Sequence, residues 1–165
     1  NWFALHGTNA IVAFDGAKAD TPNVSPEFMK LLGSRFIAHP ANMDFLVRIK
    51  DKEHQLTKDL EDFEVYDEPY YCEFEDNLHV LLDADYSEPS ESYVQVDPPN
   101  DDPRPQMYIH NVGKGNVLYL MLGHCRGKYD MRPFVDEVSI ERCAWETETY
   151  YELLRRGIKW GIGKV

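Results

Sequence analysis

Cysteine is scarce in this chain. Cys72, Cys125 and Cys143 are three in number, without a C-x-x-C pair or a Cys/His zinc spacing, which argues against a disulfide framework and for a reducing compartment. Basic residues are also in deficit. Seventeen Lys and Arg stand against 29 Asp and Glu, a formal net charge of -12, and no Lys/Arg cluster occurs, so nucleic acid and anionic membrane are poor partners. No apolar run approaches the ~20 residues that span a bilayer, and the first residues lack the positive segment of a secretion signal. A cytoplasmic location follows as the expectation. There is no H-x-H or H-E-x-x-H pattern for a metal and no G-x-S-x-G elbow for a serine nucleophile. Gly113-Lys114-Gly115 is not followed by a helical pattern, so it reads as a hairpin turn rather than a phosphate loop.

Large apolar side chains, by contrast, are abundant. The 165 residues are 43% hydrophobic and 13% aromatic, enough to bury a core, since a chain near 150 residues hides roughly 70% of its unfolded surface. One domain over residues 1–165 is expected. Residues 2–6, WFALH, form an apolar run that stops at His6, and GTNAIVAF beyond it has helical spacing. PEFMKLLG has Pro near a helix start and Gly at its end; MDFLVRIKD alternates as a half-buried strand does. NLHVLLDADY reads as a strand, SEPSESYVQVDPPNDDPRP as a polar loop, and QMYIHNVGKGNVLYLMLGH as a hairpin. TETYYELLRRGIKWGI places Tyr150, Leu153, Leu154, Ile158 and Trp160 on one face, acids early and bases late, as an amphipathic helix does.

Strands mixed with helices and closed by a helix predict a layered α/β fold with an open, mostly parallel sheet flanked by helices, carrying a C-terminal β-hairpin and helix. In such sheets ligands sit outside the carboxyl ends of the strands. His6 and His124 each follow an apolar strand and adjoin a glycine, Gly7 and Gly123, which marks them as candidate acid, base or ligand residues. The acidic-aromatic stretch YDEPYYCEFED adds Asp67, Glu68, Tyr70, Tyr71 and Glu73; carboxylates accept sugar hydroxyls and aromatic rings stack on sugar C–H faces. His39 and His110 are weaker candidates, read as ordinary hydrogen-bonding residues. Cys125 adjoins His124 in sequence, but backbone neighbours do not by that fact make a nucleophile–base pair. His6, His124 and Glu68 would make a two-His-one-carboxylate metal set, yet no local motif supports it, and no cofactor is expected.

The strand tip ALHGTNA, the His39-Pro40 pair, DFEVYDEPYY from 62 to 71, GKGNVLYLMLGH from 113 to 124 and the closing ELLRRGIKWGIG together resemble the ThuA-like, or trehalose-utilisation, family. The resemblance implies the fold of class I glutamine amidotransferases, related to flavodoxin-like sheets. It also implies that the first strands and helices of the domain precede this chain, in which case a second copy would cover the exposed edge as a homo-oligomer. The amidotransferase elbow holds a nucleophilic cysteine. Here it holds His6, so glutamine hydrolysis through a thioester is excluded. The family's role implies a small carbohydrate partner of the trehalose or keto-glycoside type and an isomerase, lyase or hydrolase activity. His6 and His124, assisted by Asp67 or Glu68, would serve as acid and base, and Gly7, Thr8, Asn9, Tyr70, Tyr71 and Gly123 would line the sugar. A non-catalytic sugar- or partner-binding module on the same fold is the alternative.

Overall fold

A computed structural model of the chain describes residues 1–9, 26–90 and 103–165. Among these lie eight strands: β1 (Trp2–Leu5), β2 (Ser34–Ala38), β3 (Met43–Ile49), β4 (Phe63–Asp67), β5 (Tyr71–Phe74), β6 (His79–Ala84), β7 (Arg104–Val112) and β8 (Gly115–Leu120). Two helices, α1 (Pro26–Leu32) and α2 (Glu148–Gly161), and a turn of 3-10 helix over Cys143–Glu146 complete the described elements. The helix expected beyond Asn9 and most of the polar loop expected from 87 to 105 fall outside the described residues. No helix among the described residues is long and apolar enough to cross a membrane.

The unbroken apolar run of β8 is explained by burial on both faces. Leu118, Leu120 and Leu122 enter one core with Val47, Met107, Leu153 and Trp160. Val117, Tyr119 and Met121 enter a second with Leu32, Phe36, Cys72 and Tyr108. Helix α2 covers β1 beside the first core: a Cβ on Gly157 would lie 2.3 Å from the Phe3 ring. Helix α1 and a two-stranded antiparallel sheet of β2 and β5 contribute to the second. Strand β2 is absent from the sequence expectation, because four or five residues ending at a Pro-containing turn are too few to display a period.

The main sheet corrects the expected fold class. Its order is β1-β8-β7-β6-β3-β4. Only β1 and β8 pair in parallel; β8–β7, β7–β6, β6–β3 and β3–β4 are all antiparallel. The sheet is therefore mixed and strongly curled, with few helices, rather than the open, mostly parallel, helix-flanked sheet expected from amidotransferase-like or flavodoxin-like folds. A parallel neighbour requires a crossover of a dozen or more residues, whereas β7 and β8 are joined by the tight turn at Gly113, where φ is +57°. A doubly buried strand such as β8 looks the same in sequence whether its neighbours run parallel or antiparallel.

One rule survives this correction. Successive antiparallel pairings leave β1, β8, β6 and β4 pointing the same way. The residues that follow β1, β4 and β8 consequently emerge at one end of the sheet, although β1 and β4 occupy its opposite edges. Curling brings those edges together.

Candidate functional site

His6 is the first residue beyond β1, and Thr8 closes the turn after it through N–H and hydroxyl bonds to the Leu5 carbonyl, 3.0 and 2.5 Å. The imidazole lies beside the chain leaving β8, where Nδ1 sits 2.5 Å from the Met121 carbonyl oxygen. A carbonyl only accepts, so Nδ1 donates and the lone pair of the neutral ring is on Nε2. That nitrogen points at Glu68 Oε2, 3.6 Å away. The separation is too long for a hydrogen bond, and Nε2 is a buried atom with no hydrogen-bond partner among the described residues.

Glu68 follows β4. The same Oε2 faces His124 Nδ1 at 3.2 Å, and its other oxygen faces His39 Nδ1 at 3.4 Å. On the far side of the His124 ring, Nε2 meets Glu141 Oε2 at 3.0 Å. Glu141 is itself fixed by paired backbone hydrogen bonds with Arg126, both 3.0 Å. Side chains of His6, Glu68 and His124 are 9%, 7% and 12% exposed, against 21% for His39 and 25% for Glu141. His39 and Glu141 are thus the more exposed members of the cluster.

Asp67 holds the arrangement in register. Its carboxylate is fully buried and accepts three backbone N–H groups: Gly123 at 2.7 Å, His124 at 3.0 Å and Glu68 at 2.9 Å. One side chain therefore fastens the end of β4 to the chain beyond β8, and so places Glu68 opposite His124. Gly123 is needed at this crossing, with φ at +115° and Tyr150 so near that a Cβ would lie 2.1 Å from its hydroxyl. The Gly123 carbonyl accepts from Trp145 Nε1 at 2.9 Å.

The electrostatics follow from burial and from facing charges. Burial alone would raise the Glu68 pKa, but the imidazoles of His124, His6 and His39 outweigh it and hold the carboxyl well below the usual range. Burial opposes charge on His124, yet Glu68 and Glu141 on its two sides push its pKa above the ordinary histidine value. Asp67 is pushed up by burial despite its N–H donors and nearby His6. The Cys143 thiol is pushed up by burial and neighbouring carboxylates to about 12, which leaves it unreactive.

The structure brings His6, Glu68, His124 and Tyr70 together, the Tyr70 ring lying 4.3 Å from that of His6. Asp67 and Gly123 stand directly behind them. A Cβ on Gly7 would meet nothing within 4 Å among the described residues. Asn9 points elsewhere, tied to Tyr119 and Ser34 at 2.9 and 3.0 Å. Tyr71 is 1% exposed and donates its hydroxyl to the Glu88 carbonyl, so its ring has no free face for a sugar. His39 and Glu141 join the cluster without having been placed there by sequence. His39 directly follows β2 as His6 follows β1, a signal that becomes visible only once β2 is known.

The family model described as trehalose utilisation, ThuA, matches residues 3–140. No curated protein matches the chain. A solved ThuA-like protein from Bacteroides uniformis ATCC 8492 is 21% identical with a TM-score of 0.63, covering 99% of this chain and 59% of that one. A ThuA-like protein from Parabacteroides merdae ATCC 43184 is 21% identical with a TM-score of 0.54, covering 79% of this chain and 41% of that one. At such identities these two structures speak for the fold alone, and this chain spans less than two thirds of either. The match of the family model over most of the sequence shows that the chain belongs to the ThuA family.

Proposed function

We propose that the chain acts on a trehalose-type or keto-glycoside sugar by acid–base chemistry at the His6–Glu68–His124 cluster. The observation that carries this reading is the convergence of two imidazoles on one carboxylate oxygen, at 3.6 and 3.2 Å, from three strand ends. Isomerisation or elimination at a keto-sugar requires a base to take the proton next to the carbonyl and an acid to polarise the carbonyl oxygen. The electron pair left on carbon then re-forms a C–H bond elsewhere or expels a leaving group. His6, with Nδ1–H held by Met121, presents the accepting nitrogen, and His124, flanked by two carboxylates, presents the donor. Glu68 orients His124, and Asp67 and Gly123 position Glu68 and His124. The family description, trehalose utilisation, supports the substrate class.

Incubating the protein with 3-keto-trehalose and a 3-keto-glucoside tests the proposal. Turnover is expected, reduced by about 100-fold or more in kcat by His6→Ala and by His124→Ala. Unchanged turnover in both variants would sink it. Sugar binding without turnover would favour the binding-module alternative instead.

A further inference from the structure

The geometry points to a divalent transition-metal centre whose ligands are His6 Nε2, His124 Nδ1 and Glu68 Oε2. These three atoms lie within 4.8 Å of one another, and two of the separations are 3.6 and 3.2 Å. A tetrahedral ion with bonds of about 2.0–2.1 Å has edges of about 3.3 Å, so an ion fits between them with small adjustments. Two imidazoles and one carboxylate leave further positions for water or substrate, as a catalytic rather than a structural centre requires.

Two independent observations call for a cation there. The first is His6 Nε2, buried and without a partner in a side chain 9% exposed. In the neutral ring its lone pair faces the oxygen of a carboxylate, a repulsive arrangement that a positive ion between them converts into two bonds. The second is the far nitrogen of each ring. His6 Nδ1 is held by the Met121 carbonyl at 2.5 Å and His124 Nε2 by the Glu141 carboxylate at 3.0 Å. Outer acceptors of this kind fix the tautomer and aim the opposite nitrogen of a metal-binding imidazole. They come from different segments of the chain, so neither is a by-product of the other.

The centre rests on the proposed function for the substrate class alone and would replace the imidazoles' acid–base roles. A bound ion would accept carbonyl or hydroxyl oxygens of the sugar in its open positions and polarise them. The imidazoles would then hold the ion rather than carry protons.

The test is titration of the chelator-treated full chain with Co2+ and with Zn2+, read without sugar. Uptake of about one ion per chain is expected, with the visible absorption of four- or five-coordinate Co2+. Two exchangeable N–H protons, His6 Nδ1–H and His124 Nε2–H, should be shifted far outside the normal range in the 1H spectrum of the Co2+ protein. That signature is read on the unsubstituted protein and needs no variant to fold. Glu68→Gln should abolish uptake, Glu141→Gln should weaken it by about 10- to 100-fold, and His79→Gln, in the exposed pair with Asp51, should leave it unchanged. Absence of stoichiometric uptake, uptake without shifted N–H protons, or uptake retained in Glu68→Gln with a native circular-dichroism spectrum would each overturn the centre. If the ion-free protein still turns over keto-sugar, the metal centre fails and the acid–base reading stands; if it binds the ion and leaves every keto-sugar untouched, the converse holds.

Discussion

Asp67 and Gly123 bear the geometry of the cluster between them, and each can be tested alone. Asp67→Asn replaces one accepting oxygen with a donor facing backbone N–H groups, and leaving buried donors unpaired should cost about 2–4 kcal/mol in urea unfolding. Turnover should fall in kcat more than in KM, since Glu68 and His124 lose their register while both remain present. Gly123→Ala forces a left-handed φ on alanine and drives its Cβ against Tyr150, a loss of about 2–4 kcal/mol. Tyr150→Phe in the same background should recover part of that loss by removing the nearest atom. A third test uses His110, whose Nδ1 is buried without a partner and whose pKa is lowered by burial. The folded state binds this proton more weakly than the unfolded chain, so the titration of His110 adds no cost above about pH 6.5 and destabilises as pH falls below it towards the lowered folded value. Unfolding free energies of His110→Gln should consequently decline less steeply between pH 7 and pH 5 than those of the parent.

Individual elements differed in how plainly the sequence displayed them. Helices α1 and α2 were readable from end residues and apolar spacing, and the β7–β8 hairpin from its alternation and its glycines. Strand β3 was readable because Phe45, Val47 and Ile49 are buried while Asp44 and Leu46 are exposed. Strand β2 was not, being five residues long with no room for a period, so His39 was read as an ordinary hydrogen-bonding residue and not as the residue after a strand. The direction of pairing was also invisible, because β8 is buried on both faces for reasons of layering rather than of parallel neighbours. His6 and His124 were legible as strand-end residues nonetheless, since strand-end placement depends on where a strand stops and not on which way its neighbours run, whereas Glu68 stood out through the acidic-aromatic stretch around it. One packing contact between elements deserves a direct measurement. Gly157→Ala should push α2 off the Phe3 ring and cost about 1–3 kcal/mol. Phe3→Leu should relieve part of this cost, giving a favourable coupling in a double-mutant cycle.

At the scale of the whole molecule, the curl of the sheet is what brings the cluster together. Strands β1 and β4 occupy opposite edges, yet His6 and Glu68 meet because Asp67 fastens the end of β4 to the chain beyond β8. The proposed chemistry requires this meeting point to remove a proton next to a sugar carbonyl. Solvent-deuterium incorporation into 3-keto-trehalose, followed by 1H NMR in D2O, tests it most directly, because exchange reports proton removal whether isomerisation or elimination follows. Protein-dependent loss of the signals from the hydrogens beside the carbonyl is expected, reduced to the buffer rate by Glu68→Gln. Exchange no faster than buffer with the parent protein, or equally fast with Glu68→Gln, would contradict it.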